Sequence, residues 1–414
     1  MCRIAAISLH SCPLADLGER QAGGMNVYVR EISRELGRRG MEIDIFTRLT
    51  DPDVPRIVDY ADNARVIHLA AGPPAHIDKN EIADHQAEFI CGALRFATEN
   101  DINYKFIYSH YWLSGWAGVH LARRWRVPHL TMFHTLARVK NQARPSIGES
   151  EKRARVEERV MSRADAIVVS SEHEGLLMSE LYGAARSKIR VIAGGVNPGL
   201  FQPLSRAAAR RAVGLNGGKI ALFVGWFDPI KGLDLLLRAM QRTIVPADTQ
   251  LVVVGGPSVA GESEKARSLV RELGLTDRVR FAGIVKQELL HYYYSAADVT
   301  VVPSYYESFG LVALESMACG TPVLAACTGG LTSIVSDGEN GLLFQWRQPD
   351  ALAGKLEQIL ADPLLWQRLA TGASATPERF SWGNTAERLL ALTRELGERA
   401  SPQQICKNGH FSAV

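Results

Sequence analysis

One stretch of the sequence indicates the fold better than any other: Pro303-Ser-Tyr-Tyr-Glu307-Ser-Phe-Gly310-Leu-Val-Ala-Leu-Glu315-Ser-Met-Ala-Cys-Gly320-Thr-Pro-Val-Leu-Ala. Its pattern is strand, loop, helix and strand, with the first strand ending at Pro303. The helix is predicted from about Phe309 to Cys319. It ends at Gly320 because glycine readily adopts the left-handed conformation of a helix C-cap. The next strand is predicted at Pro322 to Ala326, and this alternation is typical of an α/β sheet.

Two acids in this stretch flank a candidate anion site. Glu307 lies on the loop at the carboxyl end of a strand, and Glu315 lies on the helix that follows. The backbone N–H groups of Phe309, Gly310 and Leu311 form the helix N-terminus between them, which attracts anions. An ionised carboxylate only accepts hydrogen bonds, so it suits the hydroxyls of a ribose or a sugar. The stretch therefore predicts a site for a sugar–diphosphate–nucleoside.

Two other interpretations of the acids stay open at this point. In one, they are incidental residues of an ordinary α/β loop. In the other, they are the acid pair of a glycoside hydrolase. However, the eight residues from Glu307 to Glu315 would span about 12 Å along a helix. That exceeds the ~5 Å or ~6.5–9.5 Å between the carboxyls of retaining and inverting hydrolases, so the spacing disfavours hydrolysis.

Strands and helices alternate along the whole chain. The apolar runs are mostly continuous, as in parallel strands buried on both faces. A segment rich in Gly and Pro near residue 194 breaks the alternation, which then restarts. We predict two doubly wound, Rossmann-like parallel-sheet domains facing each other across a cleft, at residues 1–195 and 196–380. A helix at about 381–400 should pack back on the first domain, and the tail 401–414 should be disordered.

Individual strands follow from these apolar runs. In the first domain, the predicted strands are Ile4–Leu9, Ile43–Thr47, Val66–Leu69, Phe106–Ser109, Leu130–Phe133 and Ile167–Ser170. In the second domain, they are Ile220–Gly225, Leu251–Gly256, Val279–Ala282, Val299–Val302, Val323–Ala326 and Leu342–Phe344. Ligands of open α/β sheets bind outside the carboxyl ends of such strands.

Composition limits the classes of partner. The 414 residues carry a net charge of only +3, so we expect no strong positive electrostatic field that would attract nucleic acid. The six cysteines form no C-x-x-C pair, which disfavours a metal cluster. The N-terminal apolar run is too short for a signal sequence, and no run of ~18 apolar residues offers a transmembrane segment. We therefore expect a cytoplasmic protein. Weak peripheral contact with a membrane stays open.

Polar motifs follow the first-domain strands. Gly23-Gly24-Met25-Asn26 opens a helix but is not a G-x-G-x-x-G fingerprint, which disfavours a Rossmann oxidoreductase. Gly24 suits close approach of a ligand, whereas Asn26 could serve only as an N-cap. Two further motifs follow separate parallel strands: His110-Tyr111-Trp112 and His134-Thr135.

Charged side chains complete the candidate set. Lys79 lies in a loop before a helix predicted to start near Glu81, while Arg153 and Glu157 are spaced i,i+4, which is typical of a plain surface pair. In the second domain, Gly225-Trp226-Phe227-Asp228-Pro229-Ile230-Lys231-Gly232 follows the first strand. A helix N-terminus disfavours a cation, so Lys231 indicates an anionic ligand.

Together, these motifs resemble the retaining GT-B glycosyltransferases of family 4. The resemblance rests on Gly-Gly-Met-Asn, His-Tyr-Trp-Leu-Ser-Gly, Phe-His-Thr-Leu-Ala, Phe-Asp-Pro-Ile-Lys-Gly and two glutamates separated by seven residues. It covers about residues 1–400. It implies the GT-B fold, with a nucleotide-sugar donor bound mainly in the second domain and an acceptor bound mainly in the first.

The resemblance also implies roles for individual residues. His134, Glu307 and Lys231 would serve the reaction centre. The donor would be bound by Gly24, Trp226, Lys231, Glu307, Phe309, Gly310, Leu311 and Glu315. The acceptor would be bound by Asn26, Lys79, Tyr111, Thr135 and Arg153, and the last four match the set that binds an acceptor phosphate in family members acting on an inositol phosphate.

One position departs from the family. Where members usually have Gly-Arg, with the arginine on the donor diphosphate, this chain has Gly225-Trp226. Tryptophan offers one neutral N–H in place of a charged fork. Either another basic residue compensates, or turnover is slow, or the position has shifted toward another donor.

The resulting expectation is a retaining transferase that moves a hexosyl unit from an NDP-sugar, with UDP as the family-level choice, to a small phosphorylated acceptor. Inositol phosphate is the first candidate, and fructose 6-phosphate, as in sucrose-phosphate synthases, is the second. A sugar-nucleotide-binding protein with weak or no activity is the alternative from another class. No cofactor and no protein metal site are expected, although Mg²⁺ can accompany the diphosphate. A homodimer is compatible with the sequence.

Overall fold

A computed structural model of the chain describes residues 2–15, 23–215, 217–246, 248–257 and 261–400. The tail 401–414, expected to be disordered, lies outside the described residues. None of the described helices is both long enough and apolar enough to cross a bilayer.

The N-terminal half builds an eight-stranded sheet. Its strands are β1 (Arg3–Ile7), β2 (Glu42–Arg48), β3 (Ile57–Ala61), β4 (Ala64–Leu69), β5 (Phe106–His110), β6 (His129–Met132), β7 (Ala166–Val169) and β8 (Ile189–Val191). They lie in the order β3-β4-β2-β1-β5-β6-β7-β8. All neighbouring pairs are parallel except β3 and β4. The carboxyl ends of β1, β5 and β6 therefore lie side by side at one edge of the sheet.

The second half builds a six-stranded sheet that is parallel throughout. Its strands are β9 (Ile220–Val224), β10 (Gln250–Val254), β11 (Val279–Gly283), β12 (Val299–Val302), β13 (Val323–Ala326) and β14 (Gly341–Phe344). Their order is β11-β10-β9-β12-β13-β14. Since β9 and β12 are adjacent, the loops that follow them meet at the centre of this sheet's carboxyl edge.

Helices cover both faces of each sheet. In chain order they are α1 (Gly24–Arg38), α2 (Lys79–Asp84), α3 (Gln86–Glu99), α4 (Tyr111–Trp125), α5 (Ala137–Ala143), α6 (Glu151–Arg163), α7 (Glu172–Tyr182), α8 (Arg206–Ala212), α9 (Leu233–Arg242), α10 (Glu262–Glu272), α11 (Gln287–Ala296), α12 (Leu311–Ala318), α13 (Leu331–Ile334), α14 (Pro349–Ala361), α15 (Pro363–Ala375) and α16 (Trp382–Ala400). Short 3-10 turns lie at Pro145–Ile147, Arg186–Lys188, Pro229–Lys231 and Thr376–Arg379.

The chain crosses between the two sheets twice, and the crossings touch. Val196 forms a parallel bridge with Ser381. A Cβ on Gly195 would lie only 2.3 Å from the backbone nitrogen of Trp382, so only glycine fits there. After the second crossing, α16 lies against α1, and Trp382 and Leu389 join the apolar core on that face of the first sheet.

The fold is the two-sheet, doubly wound α/β architecture predicted from the sequence. Two strands were missed. β3 is an antiparallel edge strand without a fully buried residue, so it lacks a buried apolar run, and β8 has only three residues. α12 begins at Leu311 rather than Phe309 because Gly310 has φ 109°, outside the helical region.

Candidate active site

The anion site predicted before α12 depends on the conformation of Gly310. With φ 109°, this residue caps the helix in a region that favours glycine. A Cβ at this position would also approach Cδ2 of Leu331 to 2.8 Å. The first N–H groups of α12 lack partners within the helix, so they can receive an anion. The Phe309 side chain, by contrast, packs in the core against Gly194 and Phe380, which leaves only its backbone for a ligand.

Lys231 and Glu307 meet beside this helix start. Lys231 ends the 3-10 turn after β9, and its Nζ lies 2.7 Å from Oε2 of Glu307. Ser304 donates a hydrogen bond of 3.3 Å to the same carboxylate oxygen. Burial opposes the charge of Lys231, but the nearby Glu307 outweighs it and raises the lysine's pKa. The lysine is therefore cationic, and an anionic ligand would compete with Glu307 for it.

Glu315 lies in α12, more than one helix turn after the cap residue Gly310, and its side chain is almost fully buried. The hydroxyl of Tyr294 donates to its Oε2 at 2.7 Å, and Gln287 also bonds to its carboxyl group. Burial raises the pKa of Glu315 to about 7, although these two hydrogen bonds act in the opposite direction. The carboxyl is thus close to half-ionised at neutral pH.

His134 faces the second domain from the loop after β6. Its Nε2 lies 3.1 Å from Nδ1 of His110, which ends β5 and is fully buried. Burial lowers the pKa of His134 to about 3 and holds the pKa of His110 well below its usual range. Both rings are therefore neutral at physiological pH. His134 can exchange hydrogen bonds there but carries no positive charge.

Three contacts join the two halves of the site across the cleft. Ser308 donates a hydrogen bond to the carbonyl oxygen of His134. A Cβ on Gly24 would lie 3.4 Å from Cδ1 of Leu311, at the start of α12. A Cβ on Gly23 would lie 3.7 Å from Nε1 of Trp226. The glycine pair of the first domain thus lies directly against the candidate anion site of the second.

A cationic cluster surrounds Tyr111 on the first-domain side. Lys79 Nζ lies 5.4 Å and Arg153 Cζ lies 4.8 Å from the centre of the Tyr111 ring. Arg153 Nη2 also donates to Thr135, at 2.8 Å to its carbonyl oxygen and 3.1 Å to its hydroxyl. The structure therefore brings together all four residues that the sequence assigns to an acceptor phosphate.

Arg153 is not half of a plain surface pair, as its i,i+4 spacing with Glu157 would suggest. Only 3% of its side chain is exposed, and it is held by Glu157 at 2.7 Å and Glu149 at 2.9 Å. Glu157 is itself buried, and it accepts hydrogen bonds from Tyr182 and from the backbone of Ala137. This network fixes the guanidinium rather than leaving it on a mobile surface side chain.

Asn26 is buried, and its side chain bonds to the glycine loop and to the loop after β1. Its Oδ1 accepts from the N–H of Gly23 at 3.0 Å. Its Nδ2 donates to Ser11 Oγ and to the Cys12 carbonyl, both at 2.7 Å. Its side chain therefore holds the glycine loop against the loop that follows β1. Asn26 lies in the first turn of α1, so the N-cap alternative is wrong: the cap is Gly23.

Comparisons with known proteins agree with this geometry. Residues 23–195 match a family model described as Glycosyl transferase 4-like domain, and residues 205–376 match one described as Glycosyl transferases group 1. A D-inositol 3-phosphate glycosyltransferase of Nocardiopsis dassonvillei is 42% identical over 98% of this chain and 97% of its own length. The corresponding protein of Mycolicibacterium gilvum is 43% identical over 94% and 88%.

The chain belongs to the GT-B glycosyltransferases of family 4.

A solved structure supports the same assignment. The sucrose-phosphate synthase of Thermosynechococcus elongatus superimposes with a TM-score of 0.90 and 37% identity, covering 97% of this chain and all of that one. The glycosyltransferase fold, the family and the enzyme class predicted from the motifs are thereby confirmed.

The sequence motifs did not single out a histidine that lies beside Tyr111 at this candidate site. His10 follows β1 at the same sheet edge as His110 and His134, and its ring centre lies 4.4 Å from that of Tyr111. Burial, together with the charges of Lys79 and Arg153, keeps its pKa well below the usual range. Its buried Nδ1 has no hydrogen-bond partner among the described residues. His110 and His134 were predicted because they are polar residues that follow parallel strands. The same rule, applied to the first strand, would have identified His10.

The raised pKa of Glu315 leads to a pH-dependent prediction. The carboxyl is protonated below about pH 7 and ionised above it, and the ionised form is the better acceptor for ribose hydroxyls. UDP affinity, measured by calorimetry, should fall about ten-fold from pH 8 to pH 6, in proportion to the ionised fraction. Titration of the UDP phosphates contributes equally in Glu315→Gln, so that variant should show a distinctly shallower profile. Parallel profiles for the two proteins would contradict the role of Glu315.

A second prediction concerns Trp226. Its indole lies between Gly23 and Gly256, next to the Gly225 backbone that borders Lys231. Trp226→Arg should place a charged fork near the diphosphate, tighten UDP binding about ten-fold and raise turnover, as expected for a charge-assisted hydrogen bond. Trp226→Phe, which keeps an aromatic ring without a charge, is the matched control. Unchanged UDP affinity and kcat in Trp226→Arg would show that no donor is missing at this position.

Proposed function

We propose that this glycosyltransferase transfers a hexosyl unit, with retention of anomeric configuration, from a UDP-sugar to a small phosphorylated acceptor. The single observation that carries the acceptor class is the cluster of Lys79, Arg153 and Thr135 around Tyr111. A lysine and a fixed guanidinium make charge-assisted hydrogen bonds to phosphate, and a neutral polyol would not require them.

The donor half of the proposal rests on the second domain. The diphosphate would lie between Lys231 and the N-terminus of α12, with Glu315 on the ribose and Glu307 near the sugar. The ion pair between Lys231 and Glu307, 2.7 Å apart, supports this placement of the diphosphate beside the sugar. When the diphosphate takes over the lysine, the carboxylate of Glu307 is released to accept hydrogen bonds from sugar hydroxyls.

The proposed chemistry occurs on one face of the sugar. The bond between the anomeric carbon and the diphosphate oxygen breaks, and the acceptor oxygen bonds to that carbon from the same side. The acceptor proton passes to the departing diphosphate. Lys231 and the helix N-terminus stabilise the negative charge that develops there. Neutral His134 contributes a hydrogen bond near the reaction centre, and contacts across the cleft exclude water.

Two acceptors are proposed in order. Inositol phosphate comes first because relatives at 42–43% identity over nearly the whole chain are D-inositol 3-phosphate glycosyltransferases. Fructose 6-phosphate comes second because of the full-length similarity to a sucrose-phosphate synthase. Mg²⁺ arriving with the diphosphate, a cytoplasmic location and a homodimer are parts of the same proposal.

A turnover screen tests this function. UDP-, GDP- and ADP-sugars are combined with inositol 3-phosphate, fructose 6-phosphate and their unphosphorylated forms, and the released nucleoside diphosphate is measured. We expect turnover with a UDP-sugar and a phosphorylated acceptor, and proton NMR of the product should show the donor's anomeric configuration. Equal use of phosphorylated and free acceptors would contradict the acceptor class. UDP binding without turnover would favour a binding protein.

Lys79 provides a sharper test of the acceptor phosphate. Lys79→Ala should raise KM for the phosphorylated acceptor roughly 10- to 100-fold, the range expected for losing a hydrogen bond to a charged group. KM for the donor should stay within two-fold of its original value. Lys265→Ala, which removes an exposed lysine of α10 in the second domain whose ion pair with Glu262 stays within that helix, is the matched control. Arg153→Ala is a poorer probe, because it would leave Glu149 and Glu157 without their partner.

A further inference from the structure

Arg48 is a buried arginine that the functions assigned so far do not use. It is the last residue of β2, and only 2% of it is exposed. Burial lowers its pKa, and no carboxylate of the described residues offsets that effect. A buried charge without a counter-ion is costly, so its contacts require an explanation.

Among the residues that the structure describes, the guanidinium donates to backbone carbonyls alone, and these belong to two segments. Nη1 lies 2.7 Å from the carbonyl oxygen of Pro73 and 3.3 Å from that of Leu49, and Nη2 bonds to the carbonyl of Ala75. Pro73 and Ala75 belong to residues 70–78, which join β4 to α2. Hydrogen bonds from a charged donor are roughly twice as strong as neutral ones, so Arg48 holds this connection firmly at its middle.

The other contacts of the connection lie towards its two ends: Ala71 is in the apolar core of the first domain and Ile77 packs against that core, whereas residues 73–76 between them are exposed. Near its start, the N–H of Gly72 donates to Glu88 at 2.8 Å. At its other end, Asp78 caps α2 by accepting from the N–H of Asn80 at 2.8 Å. α2 has six residues, and only Ile82 among them is buried. The apolar contacts of α2 are those of Ile82 and the partly buried Ala83 near its end, so the hydrogen bonds of Arg48 are what fix the exposed residues that lead into its first turn.

Lys79 is the first residue of α2, and its ammonium lies over the ring of Tyr111. We propose that Arg48 is a positioning residue that holds Lys79 in the acceptor pocket through the backbone of residues 73–75. Arg48 acts at a distance and does not touch the substrate. The inference rests on the proposed function in one respect: the pocket that Lys79 serves is taken to bind the acceptor phosphate.

The first test measures the segment itself and does not depend on any substrate. Hydrogen exchange of peptides covering residues 70–80 is compared for the full-length protein and Arg48→Met, which keeps the length of the side chain without its donors. We expect exchange in that segment to accelerate at least ten-fold, while peptides from β1 and β5 keep their protection. Arg48→Lys, which retains a cation and donors to the carbonyls, should restore part of the protection. If Arg48→Met does not fold, hydrogen exchange of the same peptides in Arg48→Lys provides the test.

The second test measures kinetics and links Arg48 to Lys79. Arg48→Met should raise KM for the phosphorylated acceptor roughly ten-fold, because a displaced charge loses its contact, while kcat and the donor KM stay within two-fold. In Lys79→Ala, adding Arg48→Met should have little further effect, since the residue it positions is already absent. Arg190→Met removes another arginine that donates to backbone carbonyls, those of Ser187 and Ile189 at the start of β8. Because β8 is at the opposite edge of the sheet from β3 and β4, this change should leave KM unchanged.

Each outcome separates the two proposals. Unchanged exchange in residues 70–80 of Arg48→Met would overturn the positioning role, whatever the acceptor is. Fully additive effects of Arg48→Met and Lys79→Ala on KM would overturn the link to Lys79. Accelerated exchange in an enzyme that ignores the acceptor's phosphate would retain the positioning role and overturn the proposed acceptor class instead.

Discussion

The site depends on the close approach of a glycine loop from one domain to a helix N-terminus from the other. A Cβ on Gly24 would lie 3.4 Å from Leu311, which begins α12, and Ser308 in the preceding loop bonds to the carbonyl of His134. A helix N-terminus attracts an anion through N–H groups that are unpaired. Because the first domain has glycine at this point, no side chain keeps its backbone away from an anion bound at the N-terminus of α12. The donor and acceptor halves of a transferase are thereby brought to one point.

The charges around that point divide into fixed cations and neutral hydrogen-bonding groups. Arg153 is buried among Glu149 and Glu157, while Lys231 is paired with Glu307. The histidines nearest the centre are kept neutral by burial. In the proposed function, the phosphoryl groups of donor and acceptor meet cations at the edges of the site, and the centre offers hydrogen bonds without net positive charge. Such an arrangement stabilises a departing diphosphate more than it binds a neutral sugar.

Much of this could be predicted from the sequence because it depends on local patterns. Continuous apolar runs located all six strands of the second sheet, and residues following strands gave Tyr111, His134 and Lys231. The positions that were missed or misjudged depend on tertiary contacts. Arg153 has the spacing of a surface pair, but the packing of α6 buries it. Asn26 has the pattern of a cap, but its amide bonds to a distant loop. Tyr294 and Gln287 support Glu315 from α11, and nothing in their spacing indicates that contact.

A crystal structure of the protein with UDP and inositol 3-phosphate tests the central claim most directly. We expect the diphosphate between Lys231 and the N-terminus of α12, with the Lys231–Glu307 pair opened. We also expect the acceptor phosphate within hydrogen-bonding distance of Lys79 and Arg153. A diphosphate bound away from α12, or an inositol phosphate whose phosphate faces solvent, would contradict that claim.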